Sequence, residues 1–528
     1  VSAPITLTVD ATADGSPLDH FWSRVVGAGR ANEGLRADWQ AQLRTAREEC
    51  GFDYVRFHGL FHDDMFVYTE REDGTPVYNF QYVDALFDAL LETGVRPFVE
   101  FGFSPRALAR ETETVFWWGA HGAPPTDLAR WGELIDRTVR HWVARYGIDE
   151  VSRWYFEVWN EANLWGFFHG TRSEYFEIYR VTAQAVKAVD PRLRVGGPAT
   201  SNFVPDERFG GENEDVERRI VAGRDDIDSL EWRPVWVEAF LEFCAREDLP
   251  VDFVSTHPYP TDWALDEHGQ GEKLTRGKDA TPKDLALLRD LVKASPFPDA
   301  EIHLTEWNSS SSPRDFTHDT LPAAAYVVRS VLHSLGTVDS LAYWTFTDVF
   351  EEGGAGDTLF HGGFGMITLQ GVPKPTFHAY RMLAALGDTL LTRTEDAVAT
   401  REAASGRITA LVHHYPVEEP LSVPASFDDR TVADTTQGKG TPRDLVLTVD
   451  GLPAGARFSV EVLDGGHGDA LSAWRAMGAP AEPTREETAE LARLARATDR
   501  WSAVAGADGT LRVDRTLAPW SLLLLRQL

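Results

Sequence analysis

Two stretches of the chain end an apolar run in a carboxylate. Residues 153–160, "RWYFEVWN", lead into Glu161, and residues 301–305, "EIHLT", lead into Glu306, Trp307 and Asn308. A buried strand explains the bulky residues of each run but not an ionisable group held out at its exit. Comparable positions carry His58 after "DYVRF", His257 and Tyr259 in "VDFVSTHPY", and Trp344 in "LAYWTFTDVF" with Glu351 and Glu352 beyond it. One carboxyl that protonates a leaving oxygen, with another that attacks the carbon or activates water, is the equipment for cleaving an acetal through an oxocarbenium-like transition state.

That chemistry requires elements that bring Glu161 and Glu306 together. From about residue 25 to about residue 390 short apolar runs alternate with amphipathic segments, a βα rhythm. The runs are "VVGAG", "DYVRFHG", "RPFVEFGF", "RWYFEVWN", "RVGGPA", "VDFVSTHPY", "EIHLTEWN" and "LAYWTFTDVF". Between them Val83, Leu86, Phe87, Leu90 and Leu91 share one helical face, and Leu134, Ile135, Val139, Trp142 and Val143 share another. A further helix is expected from about Leu321 to Leu335, and Gly51, Gly94 and Gly147 stand where helices should stop. Eight such units predict an α/β fold, a (β/α)8 TIM barrel over residues 15–388, with its active groups at the C-terminal strand ends. The exits of strands four and seven lie across that mouth, so Glu161 and Glu306 converge. Trp154 and Trp159, earlier in their strand, are expected to fill the core.

From residue 389 the texture changes to period-two runs such as "RITALVHHY", "DLVLTVDG", "ARFSVEVLD", "TLRVDRTL" and "SLLLLRQL". They predict a β-sandwich of residues 389–528 plus 1–14, where "ITLTVDA" has the same alternation. One helix is expected near 484–497, opened by a capping box of Thr484 and Glu487. The long segments 200–235 and 260–282 follow strands on the active face and read as rim loops.

Bulk properties narrow the partner. Against 82 acidic residues stand 51 basic ones, a formal charge of −31 that repels nucleic acid and anionic membranes and favours a neutral substrate. Two cysteines, Cys50 and Cys244, make no disulfide framework and no cysteine metal site, and read as ordinary core residues. No run reaches the roughly 18 apolar residues of a membrane span. The first residues lack the features of a signal peptide, which leaves the compartment open between periplasmic or secreted and cytoplasmic. In "FHGLFHDD" only His58 sits at a strand end; His62, Asp63 and Asp64 belong to the following loop, so hydrogen bonding is expected there and no metal or other cofactor. With no apolar stripe to compel assembly, a monomer is expected.

"FEVWNEANLWGFFHG" and "HLTEWNSSSSPRDFTHDT" resemble the acid/base and nucleophile motifs of glycoside hydrolase family 39, the retaining β-xylosidases and α-L-iduronidases of clan A. The resemblance to the bacterial β-xylosidase branch continues through "YVRFHGLFHDDM", "ETVFWW", "VGGPA", "FHGGFG" and "KPTFHAYR", over roughly residues 50 to 385. It implies that Glu161 is the general acid/base, that Asn160 meets the sugar 2-hydroxyl, and that Glu306 is the nucleophile. It further implies that His257 and Tyr259 stand beside the two glutamates, and that Phe116, Trp344, Glu351 and Glu352 line the sugar, with His58 nearby. Ala162 departs from the pattern, since proline commonly follows the acid/base; the change loosens a φ restraint and leaves the chemistry intact.

The activity so implied is a retaining exo-β-D-xylosidase acting on xylooligosaccharides or aryl β-xylosides. Two neighbouring carboxyls do not both ionise cheaply, so Glu161 is expected protonated beside an ionised Glu306, with about 5–5.5 Å between the carboxyl groups. Glu351 and Glu352 would repel a uronate, which argues against an α-L-iduronidase. α-L-Arabinosides and β-galactosides remain alternative substrates on sequence alone. A silent xylan-binding protein is the rival from another class, and it has no use for two opposed carboxylates.

Overall fold

The computed structural model describes residues 3–215, 229–265, 271–416 and 430–528. Eight parallel strands close into a barrel: β1 Val25–Arg30, β2 Tyr54–His58, β3 Arg96–Phe101, β4 Tyr155–Val158, β5 Arg194–Ser201, β6 Phe253–His257, β7 Glu301–Trp307 and β8 Ser340–Tyr343. Each pairs with the next in chain order, and Tyr343 opposite Val26 shuts the ring. Helices α1 Ala37–Cys50, α2 Gln81–Thr93, α3 Leu128–Tyr146, α4 Arg172–Val189, α5 Val237–Arg246, α6 Ala280–Ala294, α7 Leu321–His333 and α8 Pro375–Ala384 follow the strands in turn. The (β/α)8 barrel expected from the eight runs is the observed fold.

The strands read as unbroken apolar runs because both faces are covered, by the barrel interior and by the helices. Each helix needs only one apolar face: in α2 it is Val83, Leu86, Phe87 and Leu90 that are buried. Asp127 caps α3 by accepting from the amides of Ala129 and Arg130, and Thr171 with Glu174 forms a capping box on α4. At the other end α1 stops at Gly51, where φ of 82° suits a residue without a Cβ. Gly27 in β1 is required for another reason: a Cβ there would collide with the indole of Trp344, which lies against that strand.

The accessory region is two facing sheets. Ile5–Asp10, Arg443–Asp450 and Leu511–Leu517 form one, in which the N-terminal strand runs parallel to its neighbour. Ser16–Pro17, Thr389–Arg393, Ala397–Arg401, Ile408–His413, Leu522–Gln527, Arg457–Leu463 and Asp499–Val504 form the other. Inward residues of both, among them Leu7, Val9, Leu447, Val460 and Leu523, share one core. Ser16–Pro17 pairs with Thr389–Arg393, so this sheet reaches past the boundary drawn after residue 14.

The expected helix is Arg485–Ala495, capped as its sequence suggested by Thr484 and Glu487. Two more appear, Arg430–Gln437 and Ala470–Ala476, each too short for its periodicity to stand out in the sequence. Trp474 meets Phe360 edge-on at 5.6 Å, so these helices buttress the segment that follows β8. Both cysteines are buried and free. Among the described residues no helix is long and apolar enough to cross a membrane.

Candidate active site

The chain at the exit of β4 is bent sharply. Trp159 and Glu161 have φ of 68° and 48°, the left-handed region, which costs a residue with a side chain roughly 1–3 kcal/mol. The neighbouring strands hold the bend. The amide of Trp159 donates to Phe101 O at 3.0 Å, the amide of Glu161 to Ala199 O at 2.8 Å, and the indole N–H of Trp159 to Phe167 O at 3.0 Å. Glu161 therefore points into a cavity of about 480 Å³ at the C-terminal mouth, within the size range of ligand pockets of roughly 300–1,000 Å³.

Glu306 reaches the same cavity from β7. The two carboxyls are 6% and 5% exposed, and an oxygen of Glu161, a ring nitrogen of His257 and an oxygen of Glu306 all lie within 4.8 Å of one another. A metal could in principle be held by such a set, but each group already has partners that account for its place. His257 Nδ1 lies 2.8 Å from Glu161 Oε1 and its Nε2 lies 3.1 Å from Thr305 Oγ1. Glu306 accepts from Arg56 Nη1 at 2.8 Å and from the Tyr259 hydroxyl at 3.0 Å.

Arg56 is the hub beneath Glu306. Fully buried, it bonds Glu157 at 2.5 Å, Glu306 at 2.8 Å and Asn160 Oδ1 at 2.8 Å, with Glu100 at 3.0 Å. Burial opposes the guanidinium charge, yet Glu157, Glu100 and Glu306 more than offset it and raise its pKa. The two histidines are driven apart in the same way. Burial lowers His257 to about 4 against the pull of Glu306. His58 is equally buried, but Glu100 at 2.6 Å, with Glu352 and Glu306 each at 3.5 Å, outweighs burial and raises it to about 10. Tyr259 is pushed well above its usual value by burial and by Glu306, so its hydroxyl keeps its proton and remains a donor.

Of the residues singled out in the sequence, His58, Phe116, Asn160, Glu161, Tyr259, Glu306, Trp344 and Glu352 line the cavity, and His257 stands behind Glu161. Phe116 stacks on His58 at 5.8 Å, and Trp344 tilts against the other neighbourhood of that ring at 4.8 Å. Glu352 is raised to about 7 by burial, against His58. Glu351 is not brought in. It turns to Arg30 at 2.9 Å and Arg36 at 3.2 Å, which hold its carboxylate away from the cavity. The sugar contact expected of it therefore has no counterpart in the cavity wall. In "FHGLFHDD", His62 pairs with Asp64 at 2.8 Å, Arg30 binds Asp64, and the Arg106 amide binds Asp63, so these side chains tie loops together. Trp154 and Trp159 are core, as expected, and Asn308 is buried too.

Sequence reasoning missed Arg56, Glu100, Glu157 and Thr305, all fully or almost fully buried. A signal was there: a charge in the middle of each of "YVRFH", "FVEFG" and "YFEVW" contradicts an apolar barrel interior unless the charges meet. The described part of the 200–235 loop does form the rim, through Asn202, Arg208, Phe209 and Glu214. Its residues 216–228 lie outside the described residues, as do 266–270 of the other long loop, whose flanking Thr261–Leu265 and Gly271–Thr275 form a hairpin.

Comparison with known proteins agrees with this arrangement. The model of glycosyl hydrolases family 39 matches residues 5–512. A β-xylosidase of Geobacillus stearothermophilus is 38% identical over 473 residues, 88% of this chain and 84% of the relative. One of Caldicellulosiruptor saccharolyticus is 36% identical over 485 residues, 90% and 88% of the two chains. The crystal structure of a β-xylosidase of Caulobacter crescentus, described as monomeric, superposes with a TM-score of 0.84 at 32% identity and covers 99% of each chain. With the barrel, the paired carboxyls and a match across nearly its whole length, this chain belongs to glycosyl hydrolases family 39 and is a glycoside hydrolase.

Proposed function

We propose that the enzyme is a retaining exo-β-D-xylosidase that removes xylose from the non-reducing ends of xylooligosaccharides, with Glu161 as general acid/base and Glu306 as nucleophile. The observation that carries this is the opposite polarity of their hydrogen bonds. Glu306 accepts two hydrogen bonds, from Arg56 and Tyr259, the surroundings of a carboxylate, while His257 Nδ1 stands further off from it at 3.6 Å.

Glu161 faces a lone pair, and the direction follows from its neighbours. Thr305 has one proton, and the carboxylate of Glu157 takes it at 2.7 Å. Its oxygen must then accept from His257 Nε2–H, which leaves Nδ1 of the neutral ring as an acceptor 2.8 Å from Glu161 Oε1. The proton between them therefore belongs to Glu161, as a general acid requires.

Glu161 gives that proton to the glycosidic oxygen while Glu306 attacks the anomeric carbon and becomes a glycosyl ester. The loss of the Glu306 charge makes Glu161, now ionised, the base that takes a proton from water, and the second displacement restores the configuration. Carboxyl oxygens within 4.8 Å of one another fit this double displacement, whereas inversion needs roughly 6.5–9.5 Å between the carboxyl groups to admit a water. Xylose as the glycone is supported by the names of the relatives and by Glu352, a carboxyl in the cavity wall that disfavours a uronate once it is ionised. Arg208 in the same wall is paired bidentately along its Nε–Nη2 edge with Asp206, which offsets its charge towards a uronate. The Caulobacter crescentus relative supports action as a monomer.

The test is hydrolysis of p-nitrophenyl β-D-xyloside beside the α-L-iduronide, the α-L-arabinoside and the β-D-galactoside, with the released sugar followed by NMR. A clear preference for the xyloside with β-xylose appearing first is the expected result. The α-anomer appearing first removes the double displacement, and a preference for another glycoside removes the glycone.

A further inference from the structure

Among the described residues large apolar side chains are almost all covered, and Trp165 is an exception: it is 59% exposed and yet lines the catalytic cavity. Trp117, also exposed, does not line it. Trp165 lies four residues beyond Glu161 in a turn that cannot swing freely. The amide of Leu164 donates to Glu161 O at 2.9 Å, those of Phe167 and Phe168 return to Leu164 O at 2.9 and 3.0 Å, and that of His169 is anchored on Gly122 O at 3.0 Å. The indole itself rests on the His169 ring, stacked at 5.0 Å with 26° between the planes. One side of the ring is thus supported by a buried residue, while most of its surface is left to the cavity and solvent.

Position decides which part of a substrate it meets. The turn that carries Trp165 starts at Glu161, whose carbonyl accepts from the Leu164 amide, while His58, Phe116, Trp344 and Glu352 line the same cavity and Phe116 packs on Phe167 of that turn at 5.3 Å. A general acid sits on the leaving-group side of the bond it breaks. The segment 202–215 also contributes to the cavity wall and is docked onto the start of α4 by Glu212, which accepts from the amide and hydroxyl of Ser173 at 2.8 and 2.9 Å.

Resting on the β-xylosidase reading above, we infer that Trp165 is the platform on which a leaving-group xylose stacks its C–H face, and that it sets the preference for oligosaccharides over simple xylosides. A flat aromatic surface fixed at the mouth fits a pyranose ring and discriminates little between hydroxyl patterns, as an exo-enzyme working along a uniform chain needs.

The experiment compares Trp165→Ala and Trp165→Phe with the wild type on methyl β-D-xyloside, xylobiose, xylotriose and xylotetraose, reading kcat/KM for each. Methyl xyloside needs the same acid and the same glycone pocket but has no leaving-group ring. For Trp165→Ala the expected result is roughly a tenfold loss on the oligosaccharides, the scale of one aromatic stacking contact, with methyl xyloside unchanged and most of the loss restored in Trp165→Phe. A loss that begins at xylobiose places the stacked ring next to the bond, and one that begins at xylotriose places it one unit further. An equal change on all four substrates, or none, overturns the inference. Failure of the wild type to cleave any of the four instead removes the xylosidase reading on which it rests.

Discussion

Thr305→Val is the sharpest probe of the proton placement. It keeps the shape of a fully buried side chain and removes one hydroxyl. With it go the acceptor of His257 Nε2–H at 3.1 Å and a donor to Glu157 at 2.7 Å. An unmet buried donor costs about 1–3 kcal/mol, and the neutral ring can escape that cost only by moving its proton to Nδ1. Nδ1–H would face Glu161 as a donor, so the arrangement in which Glu161 holds the proton loses that same about 1–3 kcal/mol of preference.

At about 1.4 kcal/mol per pH unit, the alkaline limb of the kcat/KM profile should move towards acid by about one to two units. Activity near neutrality on xylobiose then falls by about tenfold or more, while 2,4-dinitrophenyl β-xyloside, whose leaving group needs no proton, changes by less than about threefold. Both pH profiles are obtained by initial-rate assays on the one variant. An alkaline limb that stays in place, or equal losses on the two substrates, refutes the relay from Thr305 through His257.

Three further expectations follow from the same network. Glu161→Ala should cripple xylobiose cleavage and spare activated aryl xylosides, whereas Glu306→Ala should abolish turnover on both until azide is added; equal losses on the two substrates in Glu161→Ala would count against its acid role. Arg56→Met strands Glu100, Glu157 and Glu306 in the barrel interior and should lower stability by about 3–5 kcal/mol in urea unfolding, a loss below about 1 kcal/mol counting against the hub. His58 has a folded-state pKa of about 10, above its unfolded value, so the stability it contributes is complete below about pH 6.5 and is lost as pH rises through about 10. Melting temperature should accordingly fall more steeply from pH 7 to pH 10 in the wild type than in His58→Gln, and parallel curves would show that the imidazolium is not held.

Much of this architecture was legible in one dimension because its causes are local. Helix periodicity, the stop at Gly51 and the capping box at Thr484 depend on residues a few positions apart. The helices Arg430–Gln437 and Ala470–Ala476 escaped the same reading since two turns carry little periodicity, and what stabilises Ala470–Ala476 is its packing of Trp474 on Phe360, a residue distant in sequence. Glu351 and Glu352 show the limit at a single residue. Both suit a sugar equally well by type, but only the second turns to the cavity, because Arg30 and Arg36 from the β1 side hold the first.

By itself the sequence determined the βα rhythm, hence the barrel, and with it the rule that groups at the strand exits share one mouth; that is enough to pair Glu161 with Glu306. Only the tertiary structure supplies the hydrogen bonds from which we assign the proton to Glu161. They are made by Arg56 from β2, Glu157 from β4, and His257 and Thr305 from β6 and β7, four residues that no local pattern links. In a buried site a proton sits where the chain of donors and acceptors leaves room for it, and the direction of that chain exists only once the strands have closed.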